Sequence, residues 1–201
     1  IARGLAEAGF GVLRFDFTGL GGSGGDFANT HFSSNVDDLV AAADWLRANH
    51  GAPALLIGHL LGGAAVLAAA HRVADCVAVA TLGAPFEPTH VTRQFADGLK
   101  LIETEGRATV QLAGRPFTLR REFVEDLAGQ AQARRIRELH CPLLVLHAPL
   151  DTVVSVDSAR QIFEAALHPK SFVSLDDADH LLDNSADARY AAGVIAAWAQ
   201  R

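Results

Sequence analysis

A chain of 201 residues, half of them hydrophobic, carries enough apolar material for one domain with a substantial core. Its net charge of −6 and the lack of any basic run argue against nucleic-acid binding. Its longest apolar runs, about 8 to 10 residues, are too short to span a bilayer.

The first eight residues, Ile1 to Ala8, look like the middle of an amphipathic helix with no cap before it, and the chain contains no methionine. Both features read as a fragment whose N-terminal part lies outside the sequence. After this helix Gly9-Phe10-Gly11 is a turn and Val12-Leu13-Arg14-Phe15 a buried strand. Asp16 to Asn29 is a glycine-rich loop. Ser33-Ser34-Asn35 offers an N-cap for a helix from Val36 to about Asn49, whose apolar positions recur at helical spacing. The strand Ala54–Ile57 and a helix from Leu61 to His71 follow, then the strand Val77–Ala80.

From Phe86 to His140 the pattern turns more polar. A short hairpin pairs Val110–Leu112 with Phe117–Leu119 across a turn at Ala113-Gly114-Arg115, and charged helices are predicted over Arg120–Leu127 and Ala131–Leu139. The β/α alternation then resumes with the strand Leu143–Leu146, the helix Asp157–Leu167, the strand Phe172–Leu175 and a closing helix Ala186–Gln200. Strands separated by helices predict an α/β fold, a doubly wound and mostly parallel sheet flanked by helices. Residues 1–201 form a single domain on this reading, and 86–140 is a small cap-like insertion within it. Cys76 and Cys141 show no zinc-ligand spacing and read as buried, reduced residues at strand ends.

The most informative motif is Gly58-His59-Leu60-Leu61-Gly62-Gly63, placed between a strand and a helix. That context belongs to a nucleophile elbow, whose reactive residue sits on the sharp turn. Leucine holds that position here, with no lone pair and no exchangeable proton. Ligands of open parallel sheets bind at the carboxyl ends of the strands. Three residues fall there in chain order: Leu60, then Asp151 after the strand ending at Leu146, then His180 after the strand ending at Leu175. Nucleophile position, acid, histidine is the order of a hydrolase triad.

Other polar residues take plainer readings. His59 is expected to be packed or hydrogen-bonded structurally. Asp157 and Asp177 are alternative acids but read as capping or solvated. Ser23 is a poor replacement nucleophile because no base is topologically placed for it. Arg120, Arg121, Arg134, Arg135 and Arg137 read as a solvated face, with anion binding the alternative.

Phe15-Asp16-Phe17-Thr18-Gly19-Leu20-Gly21, Ser23-Gly24-Gly25-Asp26-Phe27, the elbow, His147-Ala148-Pro149-Leu150-Asp151 and Ala178-Asp179-His180-Leu181-Leu182 together resemble the α/β-hydrolase superfamily, in its serine aminopeptidase-like and esterase-like branch. The resemblance extends over the whole chain and is closest to the hydrolase half of bacterial fusions with an OsmC-type domain. It implies Asp151 as triad acid, His180 as general base and the Leu61 N–H as one oxyanion donor. A second donor, and strands preceding the opening helix, are expected N-terminal to Ile1. The implied activity is hydrolysis of small esters or amides, without metal or cofactor, in the cytoplasm. Because family members carry serine where Leu60 stands, the chain as written is expected to be inactive or nearly so. The other reading is a non-catalytic module that binds a small apolar ligand under the cap.

Overall fold

The apolar runs on either side of the insertion pair side by side in the computed structural model, which describes residues 1–112 and 115–200. The strands are β1 (Leu55–His59), β2 (Ala78–Leu82), β3 (Arg107–Leu112), β4 (Arg115–Arg120), β5 (Leu143–His147) and β6 (Lys170–Ser174). The helices are α1 (Ala2–Glu7), α2 (Phe32–Asn49), α3 (Leu61–Ala69), α4 (Ala96–Glu105), α5 (Arg121–Ala128), α6 (Gln132–Arg137), α7 (Val156–Ala165) and α8 (Ser185–Ala199). Four strands form a wholly parallel sheet in the order β1-β2-β5-β6, and β3 with β4 makes a separate antiparallel hairpin.

The sheet is buried on both faces, which is why its central strands read as continuous apolar runs rather than alternating ones. Successive side chains of a strand point to opposite faces. Val79, Leu143 and Val145 accordingly pack with Leu39 of α2, Val66 of α3 and Ile162 of α7. Ala80, Leu82, Leu144 and Leu146 pack on the other side with Leu5 of α1 and Ile195 of α8. The doubly wound architecture expected from the sequence is present.

Several boundaries differ for local reasons. Val12–Phe15 does not form a strand: Val12, Leu13 and Phe15 are exposed, and among the described residues no ladder partner lies beside them. An apolar run becomes a strand only when another strand supplies its hydrogen bonds. Helix α2 starts four residues earlier than predicted because His31 closes a capping box. Its Nδ1 accepts from Ser34 N–H at 3.0 Å, and Ser34 Oγ accepts from His31 N–H at 3.0 Å. Of the expected turn Ala113-Gly114-Arg115, Ala113 and Gly114 lie outside the described residues.

The segment 86–140 carries more structure than its polarity suggested. A 3₁₀ stretch over Pro88–Phe95 leads into α4, a helix that the sequence pattern did not predict. Only Ile102 of α4 is fully buried, so no apolar stripe announces it, and Gly106 ends it in the left-handed region at φ 79°. Phe95, Ile102, Leu119, Phe123, Leu127 and Ile136 join the cluster that covers α2 and α3. Asp126 accepts from Ser33 N–H and Oγ at 2.8 and 2.6 Å, and Gln132 Nε2 donates to the Ala64 carbonyl at 2.9 Å. The segment is thus seated on the helices of one sheet face. Among the described residues no helix is long and apolar enough to cross a membrane.

Candidate active site

The turn from β1 into α3 is tight enough to require small residues around it. A Cβ at Gly58 would lie 2.2 Å from the Gly62 carbonyl oxygen, and one at Gly63 would lie 2.5 Å from the Ala84 Cβ. Leu60 sits at the apex with φ 50° and ψ −124°, a conformation that leucine rarely adopts. The two non-glycine residues with positive φ among the described residues are Leu60 and Leu182, two positions after His180. Strain of this kind costs about 1 to 3 kcal/mol per residue and collects at functional sites. Leu60 N–H donates to Leu82 O at 3.1 Å, fixing the turn to the end of β2. Leu61 is the first residue of α3, so its N–H has no intrahelical acceptor.

Leu60 is only partly buried, so relief of strain should offset what a truncation loses. Leu60→Gly is expected to leave stability unchanged to within about 1 kcal/mol, read from the urea midpoint. A loss above about 2 kcal/mol would show a well-packed leucine in a relaxed turn.

The loops after β5 and β6 bring Asp151 and His180 together. His180 Nδ1 donates to Asp151 Oδ2 at 2.6 Å, and the two side chains are 8% and 1% exposed. Asp151 Oδ1 accepts from Val153 N–H at 2.8 Å and Val154 N–H at 2.9 Å. Burial disfavours the Asp151 carboxylate, yet the His180 bond and these two amides outweigh it and hold its pKa below the ordinary aspartate value. The stability this gives is present above the unfolded aspartate pKa and is lost as pH falls through the lowered folded one. With Nδ1–H committed to a carboxylate, Nε2 carries the lone pair of a neutral imidazole. That Nε2 is buried and has no hydrogen-bond partner among the described residues.

Two further histidines brace this pair. The His59 ring packs against that of His180, tilted by 44° with ring centroids 4.8 Å apart, and its Nε2–H donates to the His180 carbonyl at 2.7 Å. His147, fully buried at the end of β5, donates Nε2–H to Val154 O at 2.7 Å and lies 3.7 Å from Asp151 Oδ2. Burial lowers the pKa of both and outweighs the carbonyl contacts, which act in the opposite direction. His147 fixes the loop whose amides hold Asp151. The sequence reading passed over it; its place at the end of an apolar strand, four residues before Asp151, was the available signal.

The structure brings Leu60, Asp151 and His180 to one end of the sheet and leaves the alternatives elsewhere. Gly83 follows Leu82, the partner of Leu60, and a Cβ on it would lie 3.4 Å from both Asp151 and His180. Asp157 is exposed and pairs with Arg160 at 2.8 Å, and Asp177 is exposed. Ser23 Oγ donates to Asp16 O within the glycine loop at 2.5 Å. Arg120, Arg121 and Arg137 are exposed, and Arg134 pairs with Glu138.

A family model described as serine aminopeptidase, S33, matches residues 1–112, more than half of the chain. The chain belongs to this family of α/β-hydrolases. The esterase domain of a Rhodothermus marinus protein, solved by crystallography, is 46% identical over 100% of this hydrolase chain and 78% of its own, with a TM-score of 0.80. A monoacylglycerol lipase of Paleococcus ferrophilus, at 19% identity, covers 96% of the chain and 84% of its own with a TM-score of 0.74, and shares the fold. Among curated proteins the mitochondrial palmitoyl-protein thioesterase ABHD10 of Rattus norvegicus is 25% identical over 187 residues, 89% of the chain. The chain spans 62% of that relative's length.

Proposed function

We propose that this α/β-hydrolase has the site of a serine esterase or peptidase for small esters or amides, with Leu60 in the nucleophile position and activity absent or nearly so. Asp151 is the triad acid, His180 the general base and Leu61 N–H an oxyanion donor. The observation that carries this reading is the 2.6 Å Asp151–His180 bond beside a buried His180 Nε2 that has no partner among the described residues. In acyl transfer that lone pair takes the proton of a nucleophilic hydroxyl. Leu60 offers none. Thioesters, the substrate class named for the rat relative, fall within the same acyl-transfer chemistry. The segment 86–140 serves as a cap seated on α2 and α3.

The cleft lined by His59, Gly83, Asp151 and His180 has a volume of about 10 Å³. That is room for one water molecule. The chain is expected to hydrolyse short p-nitrophenyl esters no faster than its His180→Ala variant. Turnover that depends on His180 in the unsubstituted chain would contradict the assignment of Leu60 as the defect.

A further inference from the structure

The opposite end of the sheet carries a second group of reactive side chains. Cys76 leads into β2 and Cys141 into β5, and these strands are adjacent and parallel with Val79 opposite Leu143. Two residues back along both strands, Val77 stands opposite Cys141, so Cys76 is one residue out of register and its Cα lies about 6 Å from that of Cys141, one strand spacing and one residue rise taken together. That separation lies within the range of about 4.4 to 6.8 Å that disulfides span between Cα atoms. Both thiols are free and half-buried rather than wholly enclosed. They open on one cavity of about 440 Å³, lined also by His71, Arg134, Arg135, Glu138 and His140.

We propose that Cys76 and Cys141 are a thiol–disulfide exchange site that closes to an internal disulfide at the expense of a small anionic disulfide such as oxidised glutathione. The cavity has room for one half of such a molecule, and its two arginines against one glutamate suit the carboxylates. Arg134 is already held by Glu138 at 2.8 Å, which leaves Arg135, bonded to Gln130 Oε1 at 2.5 Å, as the guanidinium not paired with a carboxylate.

The two sulfurs are unequal. The Cys76 thiol donates to the Ala78 carbonyl at 3.4 Å, and its neighbour Cys141, with burial adding to this, pushes it up. The contact with Cys76 outweighs burial at Cys141 and draws its thiol below the ordinary value. Attack therefore begins at Cys141, since the thiolate is the nucleophile. Cys141 Sγ bonds to one sulfur of the small disulfide, whose S–S bond breaks and releases one glutathione thiolate. Cys76 then attacks Cys141 Sγ, its proton passing to the departing second glutathione. The protein gives up two electrons and the glutathione disulfide takes them. The new bond ties together the entry of β2 and the entry of β5, and so closes a loop that contains the whole of 86–140.

The test treats the reduced full chain with oxidised glutathione and follows it by intact mass and peptide mapping. The expected product is lighter by two hydrogen atoms, with Cys76 linked to Cys141 in one chain. Cys76→Ser should stop at a glutathione adduct on Cys141, and Cys141→Ser should leave Cys76 unmodified over the same interval. Persistence of both thiols, stable glutathione adducts without the internal link, or a bond between two chains would overturn the proposal. Preferential labelling of Cys76 would overturn the assigned order of attack. The outcome is independent of activity at Leu60.

Discussion

Leu60→Ser should raise hydrolysis of short p-nitrophenyl esters by about 10³ to 10⁴-fold over the unsubstituted chain, with an initial burst of acyl-enzyme. Loss of the serine nucleophile alone removes about 10⁶ in turnover in subtilisin, which sets the ceiling for a gain in the reverse direction. Each oxyanion donor is worth about 10² to 10³, and only the Leu61 N–H is assigned here. The turn and the base are in place. The elbow keeps φ 50° with leucine on it, so serine at position 60 inherits the turn without rearrangement. The His180 Nε2 that would accept its proton is buried and unpartnered among the described residues. Equal rates before and after the substitution, in a folded variant, would show that more than the hydroxyl has been lost.

Asp151→Asn in the Leu60→Ser background should then remove nearly all of that gain, about 10³ to 10⁴-fold, while stability changes little. The hydrogen bonds explain why the two effects separate. An asparagine can keep its Oδ1 on the Val153 and Val154 amides, as Asp151 does at 2.8 and 2.9 Å. Its Nδ2 then faces His180 Nδ1, where the carboxylate oxygen now stands at 2.6 Å. A donor in that place turns Nδ1 into an acceptor and moves the proton to Nε2, so the base presents N–H where a lone pair is required. Rates measured beside melting curves decide the matter. A doubly substituted chain with more than about a tenth of the Leu60→Ser activity would mean that Asp151 does not set the tautomer.

Most of what made the site legible was local. The strand–glycine–helix context around Leu60 survives in any reading of the sequence, because Gly58 and Gly63 are demanded by contacts of 2.2 and 2.5 Å that a side chain would violate. Asp151 and His180 could be found because strand ends are visible as the ends of apolar runs. What escaped depends on partners distant in the chain. Val12–Phe15 has the composition of a strand, and the lack of a ladder partner among the described residues decides against it. The role of His147 lies in one carbonyl, Val154 O, reached after the chain has turned at Asp151. The α2 cap uses a histidine nitrogen where the usual capping side chain is a hydroxyl, amide or carboxylate. The proximity of Cys76 and Cys141, 65 residues apart in sequence, follows from the register of β2 on β5 and from nothing in either segment alone.

The central claim is that a working acid and base stand beside an elbow that lacks only its hydroxyl. Site-mapped labelling with a fluorophosphonate tests it most directly, applied in parallel to the unsubstituted chain and to Leu60→Ser. The expected result is no adduct on the first and a single adduct at position 60 on the second, abolished when His180→Ala is added. An adduct on the unsubstituted chain, at Ser23 or any other serine, or a folded Leu60→Ser chain that stays unlabelled, would contradict the account.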